Sequence, residues 1–484
     1  MGDLSLHRFV RLIYIPILLT FAVAASANDL RDTTNQADYI VISPTSYSRI
    51  AEKLATFRHG YNGFSTMVVN IDSILSQFGA STSPDTALKD FIQYTINSWK
   101  NPRPQYFVFA GNINAIPSHP DSERLYLPGG YDTLLMVDQW FVQGPSPDVG
   151  IDACLGRFPA WDSTDLAVMV SKTIRYETDS SGAWCNRAIS ISDYSEQDGD
   201  IFEYEAQKFR LYLGSLWNDT VAVDIRKDSP AYLDTAALLN LWNHGAAVVS
   251  YFGHANAVQL SHSRYFTTWS VDSLTNGNCL PVCLLGGCDL TYDTGPVASI
   301  PTHLLAHKGG GAVAVVSSEG LMLEESEVPF FTCMVQAMIK HPGEPIGKAY
   351  EEAMSEATSS TPFYSSITSR ITLLGDPALR VKHSQTAAYI VSNSVQPSSC
   401  ALGQNYPNPF NPTTVIRYEI PSSAVVSLKV YDVLGREVTT LADGRQNAGT
   451  HSAVFNASGL ASGVYFYRLV MGNHVATKKM LFLK

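Results

Sequence analysis

The sequence predicts an α/β protein built in two halves, each with mostly parallel strands flanked by helices, followed by a C-terminal antiparallel β-sandwich. Three observations predict it. Short buried-type apolar runs alternate with amphipathic stretches from Asp38 to Val381, a polar break follows, and period-two alternation then runs to the C-terminus. Short strands separated by helical patterns indicate βαβ units, whereas alternation without helices indicates a sandwich.

In the first half, Tyr39–Ile42, Thr66–Val69 and Tyr106–Ala110 read as strands, with helices over Arg49–Arg58 and Ala87–Lys100. Gly111 and Ile116-Pro117 mark the carboxyl end of the third strand, the edge where open α/β sheets place ligands. The second half repeats the pattern. Strands are expected at Ala188–Ile191, Val221–Val223, Ala246–Phe252, Leu280–Leu285 and Gly311–Val316, and helices over Glu203–Leu213 and Ala231–Trp242. The tail alternates over Val415–Glu419, Val425–Asp432, Ser452–Asn456, Gly463–Val470 and Ala476–Leu483. The expected boundaries are an export signal at 1–27, an N-terminal subdomain at 28–183, a catalytic subdomain at 184–383, a linker at 384–400 and the sandwich at 401–484.

The signal reading rests on His7, Arg8 and Arg11, the apolar run Leu12–Val23 and the small-x-small site Ala25-Ser26-Ala27. That run is short for a bilayer span, which takes about 20 residues, and no later segment is long and apolar enough. Apolar residues make up 45% of the chain and charged residues 16%, with a formal charge of −11. A nucleic-acid partner needs clustered Lys and Arg, and none are present. Seven cysteines are too sparse in 484 residues for a disulfide scaffold and lack zinc-site spacing, and an odd count leaves at least one thiol over. No GxGxxG or GxxxxGK[ST] motif supports nucleotide binding.

A thiolate nucleophile needs a nearby base and backbone N–H groups aimed at the developing oxyanion. Two strand ends offer the parts. In Ala246-Ala-Val-Val-Ser-Tyr-Phe-Gly-His254-Ala255 a buried strand turns at Gly253 and presents His254. In Leu280-Pro-Val-Cys-Leu-Leu-Gly-Gly-Cys288-Asp289 another ends in Gly286-Gly287 and presents Cys288. Either alone is weak evidence, but the same design at two successive strands is stronger. Asp193, just past Ala188–Ile191, is the expected carboxylate that orients the imidazole, with a helix-cap or turn aspartate as the alternative. Cys283 lies an odd number of residues before Cys288 and reads as core.

These residues resemble the gingipain-type cysteine peptidases, relatives of the caspases, over about Asp38 to Val381. The resemblance is carried by Tyr-Phe-Gly-His254, Ser273-Leu-Thr-Asn276 with Leu280-Pro281, Gly-Gly-Cys288, Leu155-Gly-Arg-Phe158, Lys172-Thr-Ile-Arg-Tyr-Glu177 and Leu374-Gly-Asp-Pro-Ala-Leu-Arg380. It implies a caspase/gingipain-like fold and a cysteine endopeptidase with nucleophile Cys288, base His254 and an acid at the position of Asp193. Ala255 stands where the family usually has glycine. Its backbone N–H, with that of Cys288, would serve as an oxyanion donor. In arginine-specific members a second acid lines the substrate pocket. Asp200 matches it here and reads equally as the N-cap of the helix starting near Ile201, so cleavage after Arg or Lys is only weakly implied. The chemistry requires no cofactor, and the relatives imply structural calcium without an evident ligand set.

Leu402-Gly-Gln-Asn-Tyr-Pro-Asn-Pro-Phe-Asn-Pro-Thr-Thr, Val430-Tyr-Asp-Val-Leu-Gly435, Leu460-Ala-Ser-Gly-Val-Tyr-Phe-Tyr-Arg-Leu469 and Lys479-Met-Leu-Phe-Leu-Lys484 resemble the sorting domain of type IX secretion cargo. This implies passage through periplasm and outer membrane, then release or surface attachment, with the type IX machinery as partner and proteins or peptides as substrates. Few residues separate Ala27 from the first strand, so no long inhibitory propeptide is expected. Two rivals stand beside the peptidase: a non-catalytic surface-binding protein on the same fold, and an acyl transferase using the same Cys/His pair.

Overall fold

The computed structural model describes residues 29–80, 82–121, 135–144, 151–194, 201–291, 298–320, 324–360, 370–383, 400–405, 408–446, 449–472 and 474–483. The expected export signal, Asp200 and nearly all of the expected linker lie outside them. The chain forms two compact units, one ending at Thr386 and one beginning at Ala387.

The first unit opens with β1 (Tyr39–Ser43), α1 (Ser48–Asn62), β2 (Thr66–Asn70), α2 (Ile71–Phe78), α3 (Pro84–Ser98) and β3 (Tyr106–Ala110). Next come β4 (His119–Asp121), β5 (Leu135–Val137), β6 (Cys154–Phe158) and α4 (Ser163–Thr178). The second half contains β7 (Arg187–Ser192), α5 (Ile201–Leu216), β8 (Asp219–Asp224), α6 (Thr235–Asn243) and β9 (Val248–Phe252). The short strands β10 (Ala255–Asn256), β11 (Gln259–Leu260) and β12 (Phe266–Thr267) precede α7 (Thr268–Asp272) and β13 (Val282–Gly286). The unit closes with α8 (Ile300–Ala306), β14 (Ala314–Ser318), α9 (Glu324–Lys340), α10 (Ile346–Ser360) and β15 (Ile371–Leu374).

The two expected halves share one ten-stranded sheet of order β2-β1-β3-β6-β15-β14-β13-β9-β7-β8. Its central strands are buried on both faces, which explains their continuous apolar runs. Successive residues feed opposite layers: Ile40 and Ile42 pack on one side with Phe107 and Phe109, Tyr39 and Val41 on the other with Tyr106 and Val108. Every pairing in the sheet is parallel except β14 with β15. The halves therefore run in opposite directions, and their strands' carboxyl ends lie on opposite edges.

Helix starts follow their caps. Asp162 accepts from the Thr164 and Asp165 amides and starts α4, while Asp234 accepts from Ala237 and starts α6 later than the apolar pattern alone predicts. Buried charge ties distant elements together. Arg58 of α1 pairs with Asp376 (2.8 Å), just past β15, and with Glu177 of α4 (2.5 Å). Burial alone would depress this guanidinium, but the Asp376 and Glu177 carboxylates outweigh it and hold it above its ordinary value.

The second unit consists of β16 (Ala401–Leu402), β17 (Thr413–Ile420), β18 (Ala424–Tyr431), β19 (Glu437–Gln446), β20 (Gly449–Asn456), β21 (Gly463–Met471) and β22 (His474–Phe482). Two antiparallel sheets, β16-β17-β20 and β19-β18-β21-β22, enclose a core that includes Ile416, Tyr418, Leu428, Tyr467 and Phe482. The buried Asn405 donates its amide to Tyr467 Oη, which in turn donates to Gly403 O, both at 2.8 Å, and this ties the chain after β16 to β21. β19 was not expected from sequence because its residues are polar and mostly half-exposed; pairing with β18 makes it a strand. Among the described residues no helix is long and apolar enough to cross a membrane.

Lys172 of α4 is buried, donates to Leu304 O (2.8 Å) and Ala312 O (3.4 Å), and is pulled by burial from 10.5 to about 7. Between those values the unfolded chain holds a proton that the fold does not, so this group makes stability rise with pH there. Glu177, raised by burial to about 7, acts below that window, and the buried Cys283 thiol, raised from 9.0, opposes within its upper part, from about pH 9 upward. From about pH 7 to about pH 8.5, Lys172→Met should flatten the rise in unfolding free energy by about 1–2 kcal/mol, measured from urea midpoints at constant m-value. An equally steep rise in the variant would assign it to another group.

Candidate active site

The sequence-expected site residues lie where β7, β9 and β13 leave the sheet. These strands are neighbours and end in register, with Ser192 and Gly286 both opposite Phe252. The alignment continues one step further, because the Asp193 amide donates to Phe252 O at 2.9 Å and the Gly253 amide to Gly286 O at 3.3 Å. Asp193, Gly253 and Gly287 therefore form one level, and Tyr194, His254 and Cys288 are the residues that follow it on the three adjacent chains.

Glycine makes this approach sterically possible. A Cβ on Gly287 would lie 2.7 Å from both the Ala255 methyl and Gly253 O, and one on Gly253 would lie 2.2 Å from Asp193 Cβ. One on Gly286 would meet the Phe252 ring at 2.8 Å and Glu327 at 2.9 Å. The Ala255 methyl thus covers Gly287, in space that a side chain there would need. Ala255 is not among the residues of positive φ, so alanine sits there without backbone strain.

Four side chains clamp the backbone around His254 and Cys288. The buried Asp193 carboxylate accepts from the His254 amide (3.2 Å), the Tyr251 hydroxyl (3.3 Å) and the Tyr194 amide (2.9 Å). Tyr251 shares that one proton with His254 O, the nearer acceptor at 2.6 Å, and burial together with the Asp193 charge pushes its phenol well above its ordinary value. It therefore stays protonated as a donor. On the other chain, Glu327 of α9 accepts the Gly287 amide at 2.8 Å, and the Ser318 hydroxyl donates to Gly287 O. Asp289 adopts a left-handed φ of 52° and donates to Gly320 O at 2.8 Å, so Cys288 sits on a sharp turn. His254, Ala255 and Cys288 are half-buried.

Around the His254 imidazole, the Phe202 ring stands edge-on at 5.1 Å and the His262 ring lies at 4.4 Å. Phe202 opens α5, the helix expected after Asp200. Ser318, Phe202, His262 and Glu327 carry no signal in the sequence, and Tyr251 stands there only as part of Tyr-Phe-Gly-His254. Tyr251 lies in the expected strand Ala246–Phe252, and Ser318 two residues past the expected end of Gly311–Val316, because β14 runs to Ser318; nothing in Glu324-Glu-Ser-Glu327 distinguishes the last carboxylate. Cys283 is fully buried in the core as expected. The edge at Gly111 is filled by Arg157, which binds Asp138 through two bonds (2.6 and 2.7 Å) and donates to the Gly111 and Ile116 carbonyls.

Residues 32–382 match the family model described as peptidase family C25, well over half of the chain. The chain belongs to peptidase family C25. Residues 404–483 match the secretion system C-terminal sorting domain, the tail of type IX cargo, which indicates export to the outer membrane, cell surface or surroundings. No curated protein matches. The C25 chain resembles the solved complex of Porphyromonas gingivalis RgpB pro- and mature domains, with 18% identity and a TM-score of 0.60 over 92% of this chain and 100% of that one. It also resembles the Arg-specific cysteine proteinase gingipain R, with 17% identity and a TM-score of 0.60 over 93% and 98%. At such identities the likeness is one of fold, here the gingipain-like fold. The calcium implied by that resemblance does not fit the three-residue group Asp272, His303 and His307, the one such His/Cys/Asp/Glu cluster found among the described residues, because calcium takes oxygen ligands.

Gly287→Ala should cost about 1–3 kcal/mol of stability, because the added methyl meets backbone and the Ala255 methyl. Gly214→Ala in α5, where a Cβ meets nothing within 4 Å, should instead stabilise by about 0.4–1 kcal/mol. Paired denaturant melts check both, and equal effects at the two glycines would refute close packing at Gly287.

Proposed function

We propose that this C25 chain is an exported cysteine endopeptidase with Cys288 as nucleophile and His254 as general base. The observation that supports it is the side-by-side exit of these residues from β13 and β9, with Gly287 packed against Gly253 and Ala255. His254 takes the thiol proton, and the thiolate attacks the peptide carbonyl carbon. The N–H groups of Ala255 and Cys288 hold the oxyanion. The imidazolium returns its proton to the leaving amine as the C–N bond breaks. Water, deprotonated by His254, then attacks the thioester, releasing the acid and restoring the thiol.

Asp193 supports the base in this reading. Its carboxylate fixes the His254 backbone and places a negative charge near the imidazolium that forms during turnover. Glu327 and Ser318 position the nucleophile by holding the two ends of Gly287. Asp200 is our proposed recognition group for Arg or Lys before the scissile bond.

Cys288→Ala should lower kcat/KM by about 10⁴-fold or more on a fluorogenic peptide library, and should abolish labelling by a peptidyl acyloxymethyl ketone. Cleavage retained by that variant would overturn the assignment, and amide products formed with an added amine would favour acyl transfer. Glu327→Ala should lower kcat by up to about 100-fold through misplacement of Cys288. Glu327→Gln keeps an acceptor for the Gly287 amide and should recover most of that loss; equal losses in the two variants would remove Glu327 from a positioning role.

A further inference from the structure

Away from the strand-edge site, α7 and α8 bring three metal-ligating side chains together. Asp272 ends α7, His303 lies within α8 and His307 caps its C-terminus, so the two histidines stand at i and i+4 on one helical face. His303 Nε2 lies 2.9 Å from Asp272 Oδ1, and one ligand atom from each of the three residues falls within 4.8 Å of the others. His307 Nε2 reaches Leu274 O at 2.8 Å, which anchors its ring to the turn after α7.

We propose that Asp272, His303 and His307 bind a divalent transition ion, with zinc the best match. Two imidazoles and one carboxylate suit zinc, cobalt or nickel, whereas calcium and magnesium prefer all-oxygen sets. Tetrahedral bonds of about 2.0–2.1 Å set ligand atoms about 3.3 Å apart, so side-chain rotations of about 1 Å close the set, and water takes the fourth position. The Asp272 side chain is 58% exposed, which gives the ion a path in. Asp165 of α4 interacts electrostatically with His303, adding negative potential that Lys308 partly offsets. A His–Asp pair this exposed contributes at most about 1 kcal/mol by itself and does not account for a second imidazole one turn on. Bound metal would lock α8 to α7. The Ile300 amide at the start of α8 donates to Ala257 O (2.7 Å) in the hairpin that follows His254, so the ion would also steady that hairpin.

The test uses the full, tag-free chain carrying Cys288→Ala, so that the strand-edge thiol captures no metal. Titration with Co²⁺ should give saturable one-to-one visible absorption of tetrahedral intensity, displaced by Zn²⁺ and unaffected by excess Ca²⁺. Adding His303→Ala and His307→Ala together should weaken Co²⁺ binding by more than about 100-fold. Asp272→Asn, at an exposed position that does not threaten folding, should weaken it by more than about tenfold. Absence of a saturable spectrum, or unchanged affinity in either variant, would overturn the site. The outcome does not depend on whether Cys288 is the nucleophile.

Discussion

The in-register exit of β7, β9 and β13 is the constraint on which the rest of this structure depends. Strands buried on both faces have no room for reactive polar groups along their length, so chemistry is confined to the edge where they stop. At that edge the neighbouring chains can carry side chains abreast only if the level before them is nearly bare. Gly253 and Gly287 supply that level, and the Ala255 methyl fills the remaining gap. The approach creates a second requirement, since loops this close must not drift. Asp193, Tyr251, Glu327 and Ser318 meet it by gripping peptide groups on both sides. Each is buried, so each bond forms where water competes poorly.

The opposite edge shows the same geometry put to another use. Because β15 runs against β14, the carboxyl ends of β1, β3 and β6 face away from the strand-edge site. There the gap is occupied by Arg157, with a bidentate carboxylate and two backbone carbonyls. A buried guanidinium with every bond made is tolerable, whereas one stripped of its carboxylate costs about 3–5 kcal/mol. The carboxyl edge of β3 and β6 is thus plugged by a charge-satisfied side chain. Sequence logic that places ligands at carboxyl strand ends applies to both edges, and only the identity of the filling side chain separates them.

What was legible in the sequence follows from range. Tyr39–Ser43, Tyr106–Ala110 and Val248–Phe252 announced themselves as apolar runs because both faces are covered. Gly253 and Gly286-Gly287 announced tight exits. β19 did not, since its strand character comes from β18 rather than from its own residues. β15 and the joining of the halves depend on pairings between residues far apart in the chain. Glu327 was illegible for the same reason: it reaches Gly287 from a helix whose own pattern says nothing about the partner. Asp193 was legible as a position. Which atom of His254 it holds depends on a one-residue register between β7 and β9, and that register puts Asp193 level with Gly253.

That register bears on how a base at His254 would be aimed. A carboxylate bonded to the His254 amide fixes where the residue leaves the sheet, while the direction of its ring depends also on what packs against the ring. Phe202 and His262 are the ring neighbours here, from α5 and from the hairpin region after the base. Phe202 stands in the first turn of α5, immediately after the segment holding Asp200. In the proposed peptidase the start of α5, which packs Phe202 edge-on against the His254 ring, is also the element nearest in sequence to the proposed recognition group. The packing of this one helix start would therefore bear on how the imidazole is aimed.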